Sequence, residues 1–328
     1  MAETVIHKIS MKRIGRMTQL PDSQKIFGAL IYMYAEQTSD AQATKLVHAV
    51  KDKRLIFSLS NLMPKGYLPV PKSYLLEQAT NMKAGGKAHY QAVKRCSFIK
   101  SEQLEDLLKN PQLLKELSPY VRIDESQEIH AAIDSVSYQL PGLDPNLYSV
   151  PEITVLEVDR DKRDRVIDNY CFYLTIEAND LGKSFVKALK KAYEQDRMFF
   201  LGPRVSQGMN IYRIKNICTE NTGQEKHPQA SAYYLNLGML LPEDINYQAS
   251  FIDTFTSVRL PYKRPEGWDQ TLKKTYISYI SAGSILLTEN GPQAAGKSIS
   301  SEYDKERAIV FGNAMLYPIQ HDLGRRSQ

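Results

Sequence analysis

The segment 181–215 constrains the fold most, because it places three structural patterns in immediate succession. From 181 to 195, Phe185, Leu189 and Ala192 recur on one face while lysines occupy the others, which predicts an amphipathic helix. Residues 202–208 carry a glycine at each end, which predicts a loop. Residues 211–215 then alternate in the manner of a strand, so the expected order is helix, glycine loop, strand.

The loop of this segment offers groups that suit a phosphate. Glycine lets a backbone approach a ligand closely and adopt positive φ, and arginine and serine side chains bind phosphate oxygens. The candidate ligand-binding residues are Gly202, Arg204, Ser206, Gln207 and Gly208. A plain tight turn is the alternative, and a P-loop is excluded because no Gly-Lys-Ser/Thr opens a helix here.

The length of 328 residues allows two ordinary domains or one large one, and 42% apolar with 24% charged residues is typical of globular proteins. The three cysteines, Cys96, Cys171 and Cys218, are scattered and form no CxxC pair. They support neither a disulfide framework nor a zinc site, and we expect no metal or cofactor and a reducing cytoplasm. No signal-peptide core or membrane-spanning apolar run is present, so no membrane association is expected.

Charge is unevenly distributed along the chain. Residues 45–100 contain eleven Lys or Arg against two acidic residues, a net +9, whereas 102–134 contain eight acidic against three basic residues, a net −5. This asymmetry predicts a polyanion as partner of one surface and a basic protein as partner of another. A solvated mixture of charges is the alternative.

Patterning along the chain predicts an α+β fold. A strand at 5–13 precedes a helix capped by Asp22, and a strand at 170–177 precedes the helix at 181–195, which gives the split βαβ order of a ferredoxin-like unit. Segment 80–100 is basic and poor in core residues, which predicts a mobile insertion. Strands at 129–140 and 147–158 predict a long β-hairpin.

The domain prediction follows from these elements. An N-terminal RRM-like domain covers 1–218, with insertions at about 61–128 and the hairpin at 129–158. The polar, turn-rich segment 219–230 is the predicted linker. Residues 231–328 form a second, mostly β domain.

Several motifs in this order resemble one family. The run from Leu20 to Leu30 resembles the first-helix signature of the RAMP superfamily of CRISPR proteins, and the glycine loop resembles its glycine-rich loop. Phe57-Ser58 followed by Leu68-Pro-Val-Pro-Lys72 is similar to a run in the fourth subunit of type III-A (Csm) effector complexes. Further similarities to that subunit lie at 259–268, 280–284 and 311–314.

This resemblance implies two RRM-like (ferredoxin-like) halves and a hairpin that acts as a thumb. It implies a non-catalytic subunit that caps the complex at the 5′ handle of the crRNA. The implied protein partners are the large Cas-ten-type signature subunit and the Csm backbone subunit, and target RNA is met only indirectly.

Candidate RNA contacts outside the loop are basic or lie in glycine turns. Basic groups and backbone amides fix phosphates, and aromatic rings stack on unpaired bases. For Ser284, a bulge in a strand is an equal alternative. Leu143 is the candidate to wedge between bases, and support of the hairpin is the alternative role of Tyr138 and Tyr148. The residues are Lys12, Arg13, Arg16, Arg259, Lys263, Arg264, Gly283 and Ser284, with Tyr138, Leu143 and Tyr148 on the thumb.

Two rival functions stay open. Related RAMP folds include endoribonucleases that process CRISPR repeat RNA with a histidine as general base. Of the six histidines, His7 is the best candidate for that role, although a half-buried strand residue explains it better. A plain interaction scaffold is the other rival, and it leaves the basic block without a function.

Overall fold

The computed structural model describes residues 3–80, 86–132, 146–220, 232–258, 275–302, 308–320 and 323. Within them the helices are α1 (Ser23–Gln37), α2 (Asp40–Lys51), α3 (Lys72–Thr80), α4 (Gly86–Arg95), α5 (Leu104–Lys109) and α6 (Asp180–Glu194). The strands of the N-terminal part are β1 (Thr4–Ile14), β2 (Phe57–Leu59), β3 (Met63–Pro64), β4 (Tyr67–Pro69), β5 (Phe98–Lys100), β6 (Tyr120–Ala132), β7 (Asn146–Val158), β8 (Arg165–Val166), β9 (Asn169–Glu177), β10 (Met198–Phe200) and β11 (Ile211–Glu220). Those that follow are β12 (Ala232–Asn236), β13 (Asn246–Phe251), β14 (Thr254–Val258), β15 (Tyr276–Ile280), β16 (Ile285–Thr288), β17 (Ile299–Ser300), β18 (Ile309–Val310) and β19 (Leu316–Pro318).

The first sheet has the strand order β10-β11-β1-β9-β2, and β3 also pairs with β9. All these pairings are antiparallel. β11, β1, β9 and β2 thus occupy the positions of the fourth, first, third and second strands of a ferredoxin-like unit, with α1 and α6 as its two helices. The split βαβ order predicted from the sequence is confirmed.

Local sequence explains the two helices of this unit. Asp22 Oδ1 accepts a hydrogen bond from Lys25 N at 2.9 Å and caps α1, as predicted. Asn179 Oδ1 accepts from Gly182 N at 2.9 Å and caps α6 in the same way. The apolar faces of both helices are buried against the sheet. The buried face of α6 includes the predicted stripe of apolar residues.

An aromatic cluster joins the two halves of the chain. Phe27 of α1 stacks on Phe311 of the C-terminal half with ring centroids 4.3 Å apart. Phe57 of β2 meets Phe185 of α6 edge to face at 5.2 Å. Such pairs add stability beyond the area that they bury, so the halves share one hydrophobic core.

The second sheet has the order β4-β5-β6-β7-β8 and carries the hairpin. β6 and β7 pair in unbroken register from Tyr120 opposite Val158 to Ala132 opposite Asn146. The predicted hairpin is therefore present and begins at Tyr120 rather than at residue 129. The predicted tip residues, Tyr138 and Leu143, lie outside the described residues.

The expectation that 80–100 is a loose insertion is wrong for the part that the structure describes. Residues 86–95 form α4 and 98–100 form β5. His89, Val93 and Cys96 are buried at helical spacing, and Ile99 is fully buried. The high charge of this segment lies on the outer face of α4, so total composition concealed an amphipathic pattern.

The C-terminal half consists of strands and loops in the described residues. Its main sheet has the order β13-β16-β12-β19, beside the pairs β14–β15 and β17–β18. Thr219 and Glu220, at the start of the predicted linker, belong to β11 and pair with β1 opposite His7 and Ile6. The rest of 219–230 lies outside the described residues. No helix in the part described is long and apolar enough to cross a membrane.

Candidate nucleic-acid interface

The glycine loop connects β10 to β11 and has an unusual backbone. Arg204 (φ 63°), Gly208 (φ 75°) and Asn210 (φ 58°) adopt left-handed conformations. Leu201 N donates to Asn210 O at 3.0 Å and closes the base of the loop. A single turn of 3₁₀ helix at Val205–Gln207 fills its tip. The loop is therefore ordered by its own geometry, and glycine at 208 meets the need for positive φ.

The loop packs against the chain that follows β1. Asn210 N donates to Arg16 O at 2.8 Å. Gly15 has a φ of 78°, and a Cβ at that position would come 2.2 Å from Gly208 O. Glycine at 15 is therefore required both by its backbone conformation and by this close approach.

Asn210 fixes this contact from inside. Its side chain is fully buried, and its Oδ1 accepts from Thr18 N at 3.1 Å. Its Nδ2 donates to Thr18 Oγ1 at 2.9 Å and to Pro203 O at 2.8 Å. A Cβ on Gly202 would come 2.7 Å from the Asn210 side chain, so Gly202 serves packing. The role of Asn210 was not predicted from the sequence. The available signal was its position directly after the glycine loop, because asparagine adopts the left-handed conformation more readily than most residues.

The same chain segment holds the middle of the hairpin's paired strands. Ile153 N of β7 donates to Met17 O at 2.8 Å. Arg16 forms ion pairs with Glu128 at 2.6 Å and with Glu152 at 3.2 Å, one from each hairpin strand. The hydrogen bond from Arg16 lowers the pKa of the Glu128 carboxyl. Arg16, predicted to bind RNA, thus already has two carboxylate partners.

A stack of three side chains completes the contact between loop and hairpin. The Arg204 guanidinium lies over the Tyr148 ring, 5.5 Å from its centroid. Tyr148 also stacks on His130, with centroids 5.5 Å apart and planes 17° apart. We call Arg16, Glu128, His130, Tyr148, Glu152 and Arg204 the loop–hairpin cluster.

Within this cluster the two arginines differ in availability. Arg16 is neutralised by two glutamates, whereas Arg204 has no carboxylate partner among the described residues and donates only to Gln207 Oε1, at 3.2 Å. Ser206, Gln207 and Gly208 are exposed beside it. Arg204 is therefore the better placed of the two to bind a phosphate.

The remaining N-terminal candidates lie on the same end of β1. Lys12 is exposed, and Arg13 binds Asp168 Oδ1 through Nη2 at 2.5 Å and through Nε at 3.2 Å. The C-terminal candidates Arg259, Lys263 and Arg264 lie outside the described residues.

Gly283 and Ser284, both predicted to contact RNA, are buried and take part in the packing of the chain. Ser284 is fully buried, and its hydroxyl accepts from Asp253 N at 3.0 Å. Gly283 has a φ of 93°, and a Cβ there would come 2.6 Å from Val70 O. Ser284 lies at the end of the turn between β15 and β16 and not in a strand bulge.

His7 is a buried residue of strand β1, which agrees with its interpretation as a strand residue. His7 and His89 are buried, whereas His130 lies in the loop–hairpin cluster, where its Nε2 is 3.3 Å from Glu128 Oε2. Sequence reasoning placed no histidine near the glycine loop, because the hairpin pairing that brings His130 there is not local. In the described part of the chain, no three His, Cys, Asp or Glu side chains gather as metal ligands would.

No family model and no curated protein matches this sequence. Solved structures of type III-A CRISPR proteins do match. A chain of a Csm3–Csm4 subcomplex from the type III-A interference complex aligns with a TM-score of 0.55 at 14% identity, over 96% of this chain and 100% of that one. A chain of a Csm1–Csm4 cassette bound to pppApA gives 0.54 at 15%, over 98% and 100%. The same cassette with AMPPNP gives 0.52 at 16%, over 98% and 100%.

The matched chains are Csm4. This chain therefore has the fold of Csm4 along its whole described length. The resemblance predicted from the motifs is confirmed at the level of the fold, as is the RAMP-type α+β class.

Proposed function

We propose that this protein is a non-catalytic RNA-binding subunit of a type III-A (Csm) CRISPR interference complex. It caps the complex at the 5′ handle of the crRNA and bridges the large Cas-ten-type subunit to the backbone subunit. It meets target RNA only indirectly and acts in antiviral defence in a prokaryotic cytoplasm. The observation that carries this proposal is the match over the full length of Csm4 chains solved together with Csm1 and with Csm3.

The loop–hairpin cluster supplies the RNA contact in this proposal. Arg204 leaves Tyr148 to bind a backbone phosphate, and the ring face that it uncovers becomes available to an unstacked base. The ion pairs of Arg16 keep the middle of the hairpin in place while this exchange occurs. Lys12 and the exposed loop residues Ser206, Gln207 and Gly208 extend the phosphate-binding surface.

Arg204→Ala tests this contact in a salt titration with handle-bearing and scrambled RNA. Affinity for both RNAs should fall by about 1–2 kcal/mol, typical of a lost charged contact. The slope of log K against log salt should decrease by about 0.7, one phosphate of a single strand. Preference for the handle should persist, because phosphate contacts position and base contacts specify.

Arg54→Ala is the matched control, because Arg54 is exposed at the far end of α2 and pairs with Asp52. It should leave both the affinity and the slope unchanged. An unaltered slope for Arg204→Ala, or a selective loss of handle preference, would contradict the assignment of Arg204 to a phosphate.

One observation favours the endoribonuclease as a second candidate. His130 is the type of residue that serves as general base in RNA cleavage, and it lies beside Tyr148 and Glu128 in the cluster. Incubating the chain with repeat RNA separates the candidates. Tight binding without cutting supports the capping subunit, and cutting that His130→Ala abolishes supports the enzyme. The absence of both binding and cutting supports a plain scaffold.

A further inference from the structure

A second surface of the chain has the chemistry of a binding site and shares no residue with the loop–hairpin cluster. It is a groove of about 610 Å³ between α6 and the neighbouring strands β1 and β9. Its floor is apolar and includes Val5, Ile176 and Val186. Along its rim run four exposed lysines of α6, spaced so that they follow one side of the helix: Lys183, Lys187, Lys190 and Lys191.

A buried polar atom also lines this groove. His7 is 7% exposed, and its Nδ1 has no hydrogen-bond partner. Burial, and next the charge of Lys190, lower the pKa of His7, so its imidazole is neutral near pH 7. A buried ring nitrogen without a partner is costly, and this one lies in the wall of the groove.

The shape and charge of the groove select one class of occupant. The lining residues include no Phe, Tyr or Trp, so nucleobases find no stacking surface there. A phosphate backbone would use the lysines and leave the apolar floor exposed. The lysine rim, with four positive charges against Glu177 and Glu194, complements an acidic molecule. An amphipathic peptide rich in acidic residues uses both the floor and the rim.

We propose that this groove docks an acidic amphipathic segment of a protein partner. Carboxylates of that segment pair with the α6 lysines, and its apolar side chains cover the half-buried Val5 and Val186. The inference does not require that the chain binds RNA.

The test uses the full chain and a fluorescent peptide of about 15 residues, built from Glu, Leu and Ala with leucines at helical spacing. Binding is measured by fluorescence anisotropy. Comparison ligands are a peptide of the same composition in scrambled order, one with Lys in place of Glu, and an oligouridine of similar length. The amphipathic acidic peptide should bind most tightly, and its binding should weaken with salt.

Lys187→Glu combined with Lys190→Glu should weaken this binding at least about tenfold. Lys45→Glu combined with Lys94→Glu makes the same change of charge at exposed positions on α2 and α4, and it should have little effect. In hydrogen exchange, the acidic peptide should protect 4–8 and 181–191. Equal loss in both double variants, equal binding of the scrambled peptide, or preference for oligouridine would overturn the proposal.

Discussion

Asn210 should contribute more to the order of the glycine loop than the exposed residues at the tip of that loop. Asn210→Ala removes three buried hydrogen bonds, two to Thr18 and one to Pro203. At about 1 kcal/mol net for each bond, their loss costs about 3 kcal/mol. Alanine also tolerates the φ of 58° less well than asparagine, which adds about 1 kcal/mol. The free energy of unfolding should therefore fall by about 4 kcal/mol.

Urea denaturation of three variants separates these contributions. Asn210→Gly removes the hydrogen bonds but not the backbone conformation, so its loss should be about 3 kcal/mol. Asn216→Ala is the control, because Asn216 lies exposed on β11, the strand that follows Asn210, and should change stability by less than about 0.5 kcal/mol. Hydrogen exchange reports the local effect, because the Thr18 amide donates to Asn210 Oδ1 and should lose protection.

Either of two results would refute this reasoning. Asn210→Ala as stable as Asn216→Ala would show that the buried amide contributes no net stability. Full protection of the Thr18 amide in a destabilised Asn210→Ala would show that the loop keeps its contact with β1 by other means.

Two further predictions concern the same half of the chain. In urea denaturation, Gly15→Ala should destabilise the protein by more than Gly66→Ala. Both glycines have positive φ, but of the two only Gly15 would place a Cβ against backbone, 2.2 Å from Gly208 O. Equal losses of stability would contradict the close approach. Burial lowers the pKa of His7 and His89 below the ordinary value of 6.5. Below that pH the unfolded chain binds more protons than the folded chain, so the free energy of unfolding should fall as the pH drops from about 7 to about 5. His89→Leu should flatten this dependence, whereas an unchanged pH profile would exclude His89 as a source.

Local patterns were sufficient to predict the ferredoxin-like half. The stripe of α6, the Asp22 cap and the alternation of β1 each repeat within a few residues, so periodicity and capping rules apply to them directly. Segment 86–100 shows where composition misleads. Its charge predicted a loose insertion, but burial of His89, Val93 and Cys96 depends on where the charges lie around the helix.

The sequence by itself determined the order of the helices and strands in the ferredoxin-like unit, the position of the glycine loop and the existence of the hairpin. Only the tertiary structure decided which side chains meet. Asn210 bonds to Thr18 across 192 positions, and Arg16 binds Glu128 across 112. Ser284, whose sequence context looked suitable for a ligand contact, is likewise buried in the folded chain. Periodicity reports only neighbours within a few residues, whereas contacts between distant segments are set by sheet order and core packing.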